Sequence, residues 1–329
     1  MGQILKVYAA WHKDSDVLKN CTSGGVASAL AEEILRQGGV VVGAAYDEKM
    51  NVRHGVTDTL DGLTRFRGVK YVCGIISRDV YSDMRKALDA RRKVMFTGLP
   101  CQVAAVRKMF GECPDLLLCD LVCFGAPPHF LWRKYIDWME VRTGKHLVNI
   151  NPRDKRTGWG RKTYYRYDWE DGSIMRRLSV FDPYSQAFYS AMSFRQCCFS
   201  CKFRGLKSGA DVTLCDFWGA ERLGLPPRVM KNGVSGVIVR TVKGAEVLDC
   251  PNVEWVEAEY KVLTEENKPI ESSAEMPLRW PEFARDSLAM DFGELVRKYG
   301  LHVSRFQFAK WRFREYASKL ARTLWLKRG

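Results

Sequence analysis

The sequence has no run of the roughly 20 consecutive apolar residues that a membrane-spanning helix needs. Its start, Met1 to His12, carries Lys6 and His12 but neither an apolar leader core nor a small-residue cleavage site, so no secretory signal is expected. Gly2 does not open a myristoylation motif, because Lys6 stands where that motif requires Ser or Thr. Low-complexity tracts and internal repeats are also missing, so disordered and solenoid architectures are excluded. The expectation is a soluble, cytoplasmic protein.

What is present is material for a full-sized core: 329 residues, 46% hydrophobic and 12% aromatic. Eleven cysteines exceed what packing usually requires, and their odd number argues against a disulfide scaffold. In a reducing compartment, ligation of a metal or cluster becomes the leading explanation. The net charge of +14 resembles a nucleic-acid footprint, but it is unevenly placed. From Arg305 onward eight Lys or Arg face one acid, Glu315, a net of +7. The body is therefore only mildly basic. It also lacks cations interleaved with aromatics, so no nucleic acid is expected as a partner.

Strand and helix patterns alternate through the first half. A helix after Ser23-Gly24-Gly25, with Ser as its N-cap, carries Val26, Leu30 and Ile34 on one face. Strands are predicted at Val40 to Tyr46, Lys93 to Thr97 and Leu116 to Cys123, and helices from Val80 to Arg91, Gln102 to Phe110 and Phe130 to Thr143. This pattern reads as an α/β fold, a largely parallel or mixed sheet covered by helices. Function is expected at the carboxyl ends of the strands. The second half contains a β-hairpin, Thr163 to Trp169 and Ser173 to Val180 around Glu170-Asp171-Gly172, followed by strands at Asp211 to Cys215 and Val234 to Val239. From Val262 to Leu301 the pattern is mostly helical.

Cys198-Phe199-Ser200-Cys201 is a C-x-x-C, a spacing at which two thiolates from one turn reach a single centre. Cys101 and Cys123 each follow a predicted strand, which puts both on one edge of a parallel sheet. The resulting four thiolates suit a cubane iron–sulfur cluster or a structural zinc. Cys101, between a proline and a helix start, tilts the choice towards iron, since backbone N–H groups there can bond cluster sulfurs. On spacing alone, ordinary packing of small buried residues explains these cysteines as well as a metal does. Cys21, Cys73, Cys113, Cys119, Cys215 and Cys250 read as packing residues; Cys197 adjoins Cys198 and is an alternative ligand, but Cys198 has the C-x-x-C spacing.

Ser23, Gly24 and Gly25 at a helix start suit a phosphate, although they form neither a G-x-G-x-x-G fingerprint nor a P-loop; an ordinary capped helix is the alternative. Arg67-Gly68-Val69-Lys70-Tyr71 combines two cations with a ring and suits a pyrophosphate or the charge of a reduced flavin, against the alternative of a solvated turn. Arg153-Asp154-Lys155-Arg156 with Trp159 reads as a basic loop for an anionic partner, or as plain surface. In the tail, Phe306, Ala309, Phe313, Tyr316, Leu320 and Leu324 share one helical face flanked by Trp311 and Trp325. Such a helix either packs on its own domain or makes a peripheral contact with the inner face of a membrane.

Read in order, Thr22 to Val26, Arg67 to Val72, Thr97-Gly98-Leu99-Pro100-Cys101-Gln102, Asp120 to Pro127, Arg153-Asp154-Lys155 with Gly158-Trp159, Cys198 to Phe203 and Asp211 to Gly219 resemble the FrhB/FdhB-type family, the beta subunits of coenzyme F420 hydrogenases and dehydrogenases. The resemblance implies FAD and a 4Fe-4S cluster, the latter on Cys101, Cys123, Cys198 and Cys201. It implies flavin contacts at Ser23, Gly24, Gly25, Arg67, Gly68, Thr97 and Gly98, with Lys70 and Tyr71 steadying the reacting ring. Three regions follow: a flavin-binding region over 1–90, a cluster-binding catalytic region over 91–260, and a helical extension with the basic tail over 261–329. Many relatives begin with a ferredoxin-like segment that this sequence lacks, so its electron donor is expected to be a separate ferredoxin-type protein or a reduced deazaflavin. Cys215 stands where relatives usually carry Gly before Asp-Phe-Trp-Gly. Short relatives are often encoded with surface-polysaccharide enzymes, which implies a small or sugar-linked substrate. The competing reading is a zinc-stabilised protein that binds nucleic acid or another anionic polymer.

Overall fold

The alternation of Val, Met and Leu on three short strands builds the centre of the protein. In the computed structural model, which describes residues 3–160 and 163–301, these strands are β2 (Val40–Tyr46), β4 (Val94–Gly98) and β5 (Leu116–Leu121). They run parallel, with Val41 beside Met95 and Met95 beside Leu117, and with Val42 beside Phe96 and Phe96 beside Leu118. Because side chains alternate across a strand, the first trio packs under the helix Val26–Arg36 and the second under the helices Arg78–Asp89 and Pro100–Phe110. The sheet is thus buried on both faces, as parallel strands require.

The other strands are β1 (Lys6–His12), β3 (Val52–Thr57), β9 (Val212–Asp216), β10 (Ser235–Val239) and β11 (Val253–Glu257), giving the order β11-β1-β10-β9-β5-β4-β2-β3. The β5–β9 pair is also parallel, while β3 and the β9-β10-β1-β11 side pair antiparallel. The sheet is therefore mixed around a parallel centre. A second, antiparallel sheet contains β6 (Leu147–Asp154), β7 (Tyr164–Trp169) and β8 (Ile174–Leu178). It contains the expected hairpin, whose turn places Gly172 at φ 76°. The helices His129–Thr143, Trp280–Ala289 and Phe292–Tyr299 share a core with it around Trp132, Tyr135, Tyr167 and Phe292.

One local expectation is overturned. Ser23 does not cap the helix that begins at Val26: the cap is Gly25, left-handed at φ 75°, and no side chain caps it. Ser23 Oγ instead donates to Val234 O at 2.7 Å. The amphipathic tail from Val303 onward lies outside the described residues. Among those described, no helix is long and apolar enough to cross a membrane.

Candidate functional site

Cys101 and Cys123 follow β4 and β5, neighbours in the parallel sheet, so both emerge at one edge. Gln102 fixes the first loop: its Oε1 accepts the Leu99 N–H at 2.9 Å and its Nε2 donates to Gly74 O at 2.8 Å. Arg204 fixes the second, its guanidinium donating to the carbonyls of Cys123, of Phe124 (2.8 Å) and of Pro269 (2.6 Å). The C-x-x-C enters from a one-turn helix, Gln196–Cys198, and the Cys201 N–H donates to Ser273 Oγ at 3.2 Å. All four cysteines line one cavity of about 220 Å³, joined by Cys197, Arg195, Lys202 and Arg204. That volume exceeds the roughly 150 Å³ of an engineered cavity that admits benzene. Among the described residues, no three His, Cys, Asp or Glu side chains stand close enough to share a single metal ion.

The chemistry of this donor set fits an iron–sulfur cluster. Burial pushes the Cys123 thiol up to about 12, with Cys198 and Cys101 adding to the rise and Arg204 opposing it. Burial also raises Cys101, helped by Cys73. Thiols held this way ionise only when a positive centre replaces the proton. A void larger than one ion, ringed by thiols and cations, suits a multi-atom cluster better than a lone zinc. Cys198 is buried whereas Cys197 is exposed, which favours Cys198 as the ligand of the pair. Cys73, read from the sequence as packing, lies beside Cys101.

The segments expected to hold a flavin are arranged differently from one another. Gly24 is wedged between β1 and β10; its N–H bonds Ser235 Oγ at 3.0 Å and its carbonyl accepts the His12 N–H at 2.7 Å. Its lack of a side chain therefore serves the strand contact. Arg67 reaches Glu32 on the helix below at 3.3 Å. Gly68 is left-handed, at φ 80°. Lys70 turns back on its own loop, its ammonium donating to the carbonyls of Arg65, Phe66, Arg67 and Gly68 at 2.8 to 3.2 Å. Burial lowers its pKa to about 7. Lys70 thus shapes the loop that presents Tyr71. The Tyr71 hydroxyl meets that of Tyr189 at 3.1 Å, and its ring lies 4.5 Å from Phe188. Phe188, Phe194 and Phe199 continue as an aromatic file to the C-x-x-C, at centroid spacings of 5.3 and 6.2 Å. Thr97 Oγ1 is engaged with Val42 O at 2.9 Å, and a Cβ on Gly98 would meet the Phe96 ring at 2.8 Å. Both therefore hold the strand end together.

The basic-loop reading of Arg153 to Arg156 needs correction. Arg153 is 7% exposed and forms a buried ion pair with Asp216, whose other oxygen accepts Trp159 Nε1 at 3.0 Å. Trp159 stacks on Trp218 at 4.8 Å, and the Arg153 guanidinium lies 5.2 Å from the Trp218 ring. Lys155 is also turned inward, donating to the carbonyls of Leu18, Ser23 and Asn232. Sequence reasoning did not single out Tyr189 and read Asp216 only within a resembling segment; the structure pairs Asp216 with Arg153 and sets Tyr189 against Tyr71.

Two cysteines from the sheet edge and two from the C-x-x-C at the one-turn helix thus line one cavity. The sequence matches two families, coenzyme F420 hydrogenase/dehydrogenase beta subunit N-term over residues 7–77 and the C terminus of the same subunit over residues 91–260. The chain belongs to this coenzyme F420 hydrogenase/dehydrogenase beta subunit family, which makes it an oxidoreductase of the hydrogenase/dehydrogenase type. Its fold is similar to a chain of the F420-reducing [NiFe] hydrogenase complex from Methanosarcina barkeri, with a TM-score of 0.53 at 18% identity over 91% of this chain and 93% of that one. No curated protein matches the sequence significantly.

Proposed function

We propose that this protein is a flavin- and iron–sulfur-dependent oxidoreductase that passes electrons from a reduced carrier to a small or sugar-linked substrate. The observation that carries the reading is the convergence of Cys101, Cys123, Cys198 and Cys201 on one cavity from three separate segments. When bound, FAD exchanges electron pairs and a 4Fe-4S cluster single electrons, so together they couple a two-electron substrate to a one-electron donor. The four cysteines would hold the cluster. Arg195 and Arg204 offset its thiolate charge, and Phe199 and Phe194 keep water from its inner side. Tyr71 would contact the flavin ring, with Lys70 fixing its loop and Arg67, beside the start of the helix Val26–Arg36, on the phosphate side. The carrier is a ferredoxin-type protein or a reduced deazaflavin.

Anaerobic purification tests the reading. The expected preparation is brown and yellow, with about four irons and one flavin per chain. A colourless protein containing one zinc and no flavin would refute it and establish the zinc-stabilised alternative.

A further inference from the structure

Two buried polar groups near Tyr71, Arg153 Nε and the Tyr165 hydroxyl, have no hydrogen-bond partner among the described residues, and Thr163 Oγ1, two residues before Tyr165, is a third such group. Arg153 and Thr163 are each 7% exposed and Tyr165 is fully buried. An orphaned polar group of this depth costs stability unless something bonds it. All three belong to the second sheet or its approach, and Thr163 and Tyr165 alternate onto one face. Arg153 and Tyr165 both lie within electrostatic reach of the Tyr71 and Tyr189 hydroxyls. Tyr189 is 51% exposed, so this junction between the two sheets opens to solvent.

The cations around the pocket are not equivalent. Lys70 and Lys155 have their N–H groups engaged with backbone carbonyls. Arg67 is tied to Glu32, beside the helix start. Arg67 and Arg153 each keep a buried Nε–H with no protein acceptor and a charge secured by a carboxylate, Glu32 and Asp216 respectively; of the two, it is Arg153 that lies within electrostatic reach of the Tyr71 and Tyr189 hydroxyls.

Resting on the flavin reading above, we propose that Arg153 is the residue that binds the oxygen-bearing, charge-accumulating edge of the flavin ring, with the Tyr165 hydroxyl as a second donor. Lys70, which the sequence suggested for that role, is a positioning residue. With its Nη1 on Asp216 and its Nη2 on the Gly160 carbonyl, the Arg153 guanidinium is held in place and leaves its Nε–H to donate to a ring carbonyl, and a cation there stabilises the reduced, anionic ring more than the oxidised one.

The test uses the full chain reconstituted with FAD. For Arg153→Gln, FAD affinity should fall roughly ten- to a hundredfold, with reduced flavin losing more than oxidised, so that the midpoint potential moves negative. Since Gln leaves Asp216 without its cation and could prevent folding, Tyr165→Phe supplies an independent reading. Removing an orphaned hydroxyl should raise the apoprotein melting temperature while reducing FAD affinity severalfold. Arg153→Gln or Arg153→Lys with wild-type affinity and potential overturns the assignment while the flavin reading stands. Wild-type FAD affinity in Tyr165→Phe also overturns it. A wild-type chain that takes up no FAD overturns the flavin reading itself.

Discussion

Gly24→Ala separates two explanations for the glycines that precede the first long helix. If Gly24 were needed for close approach of a phosphate, alanine would weaken ligand binding and leave the apoprotein intact. The structure gives the opposite order. A Cβ at this position would collide with the Ala10 carbonyl oxygen and stand 2.5 Å from Ser235 N, both backbone atoms of strands paired with each other. Neither atom can rotate away, so the methyl group must push β1 from β10 or displace the helix. The cost should be about 3 kcal/mol, the upper end of overpacking penalties. Gly68→Ala is the control: at φ 80° with nothing within 4 Å of its Cβ, it carries only left-handed strain, about 1 to 2 kcal/mol. Urea unfolding of the apoproteins, followed by circular dichroism, measures both. If Gly24→Ala is no more destabilised than Gly68→Ala, the strand-contact explanation is wrong.

Two further outcomes are expected. Serine at Cys101, Cys123, Cys198 or Cys201 should remove most of the iron, whereas Cys113→Ser and Cys250→Ser keep it; full iron in Cys198→Ser with loss in Cys197→Ser would reassign the C-x-x-C ligand. Lys70 has its pKa lowered to about 7 by burial, against 10.5 for the free side chain. Between those values the unfolded chain holds the proton that the folded one releases, so native stability rises with pH across the window. Urea midpoints of apoprotein at pH 6.5 and 9.5 should therefore rise more in wild type than in Lys70→Met, and equal changes would place that ammonium in solvent.

The parallel centre was legible because its strands are short apolar runs with turn residues after them; β2 was read to the residue. On the antiparallel side β9 and β10 were also read within a residue, whereas β1, β3 and β11 were not. β1 was inspected as a leader and passed over as a strand, β3 contains His54 and Gly55, and β6 contains Pro152, all weak strand signals. β11 covers only five residues, and its pattern is irregular, with Glu254 half-buried against Trp11 and Trp255 exposed. Cys101 and Cys123 were found because a parallel sheet gathers the ends of its strands on one edge, and Cys198 and Cys201 by their C-x-x-C spacing. Arg153 was misjudged because a run of charge usually marks surface, and only the long-range contact with Asp216 reveals that its guanidinium is buried. The fold-back of Lys70 likewise depends on loop conformation, which residue types do not encode by themselves.

The place of β1 in the sheet has a consequence for biosynthesis. The first strand made pairs only with β10 and β11, the last two; Trp11 and its partner Glu254 are 243 residues apart. At translation rates of roughly 5 to 20 residues per second, β1 waits on the order of ten to fifty seconds for a neighbour. Meanwhile it is apolar on both sides, with Val7, Ala9 and Trp11 destined for one core and Tyr8 and Ala10 for another. Such a segment invites pairing with other nascent chains. The parallel βα units in between can fold first, but the sheet closes only after residue 257 has left the ribosome. Premature termination before β10 therefore yields an aggregating fragment rather than a smaller enzyme.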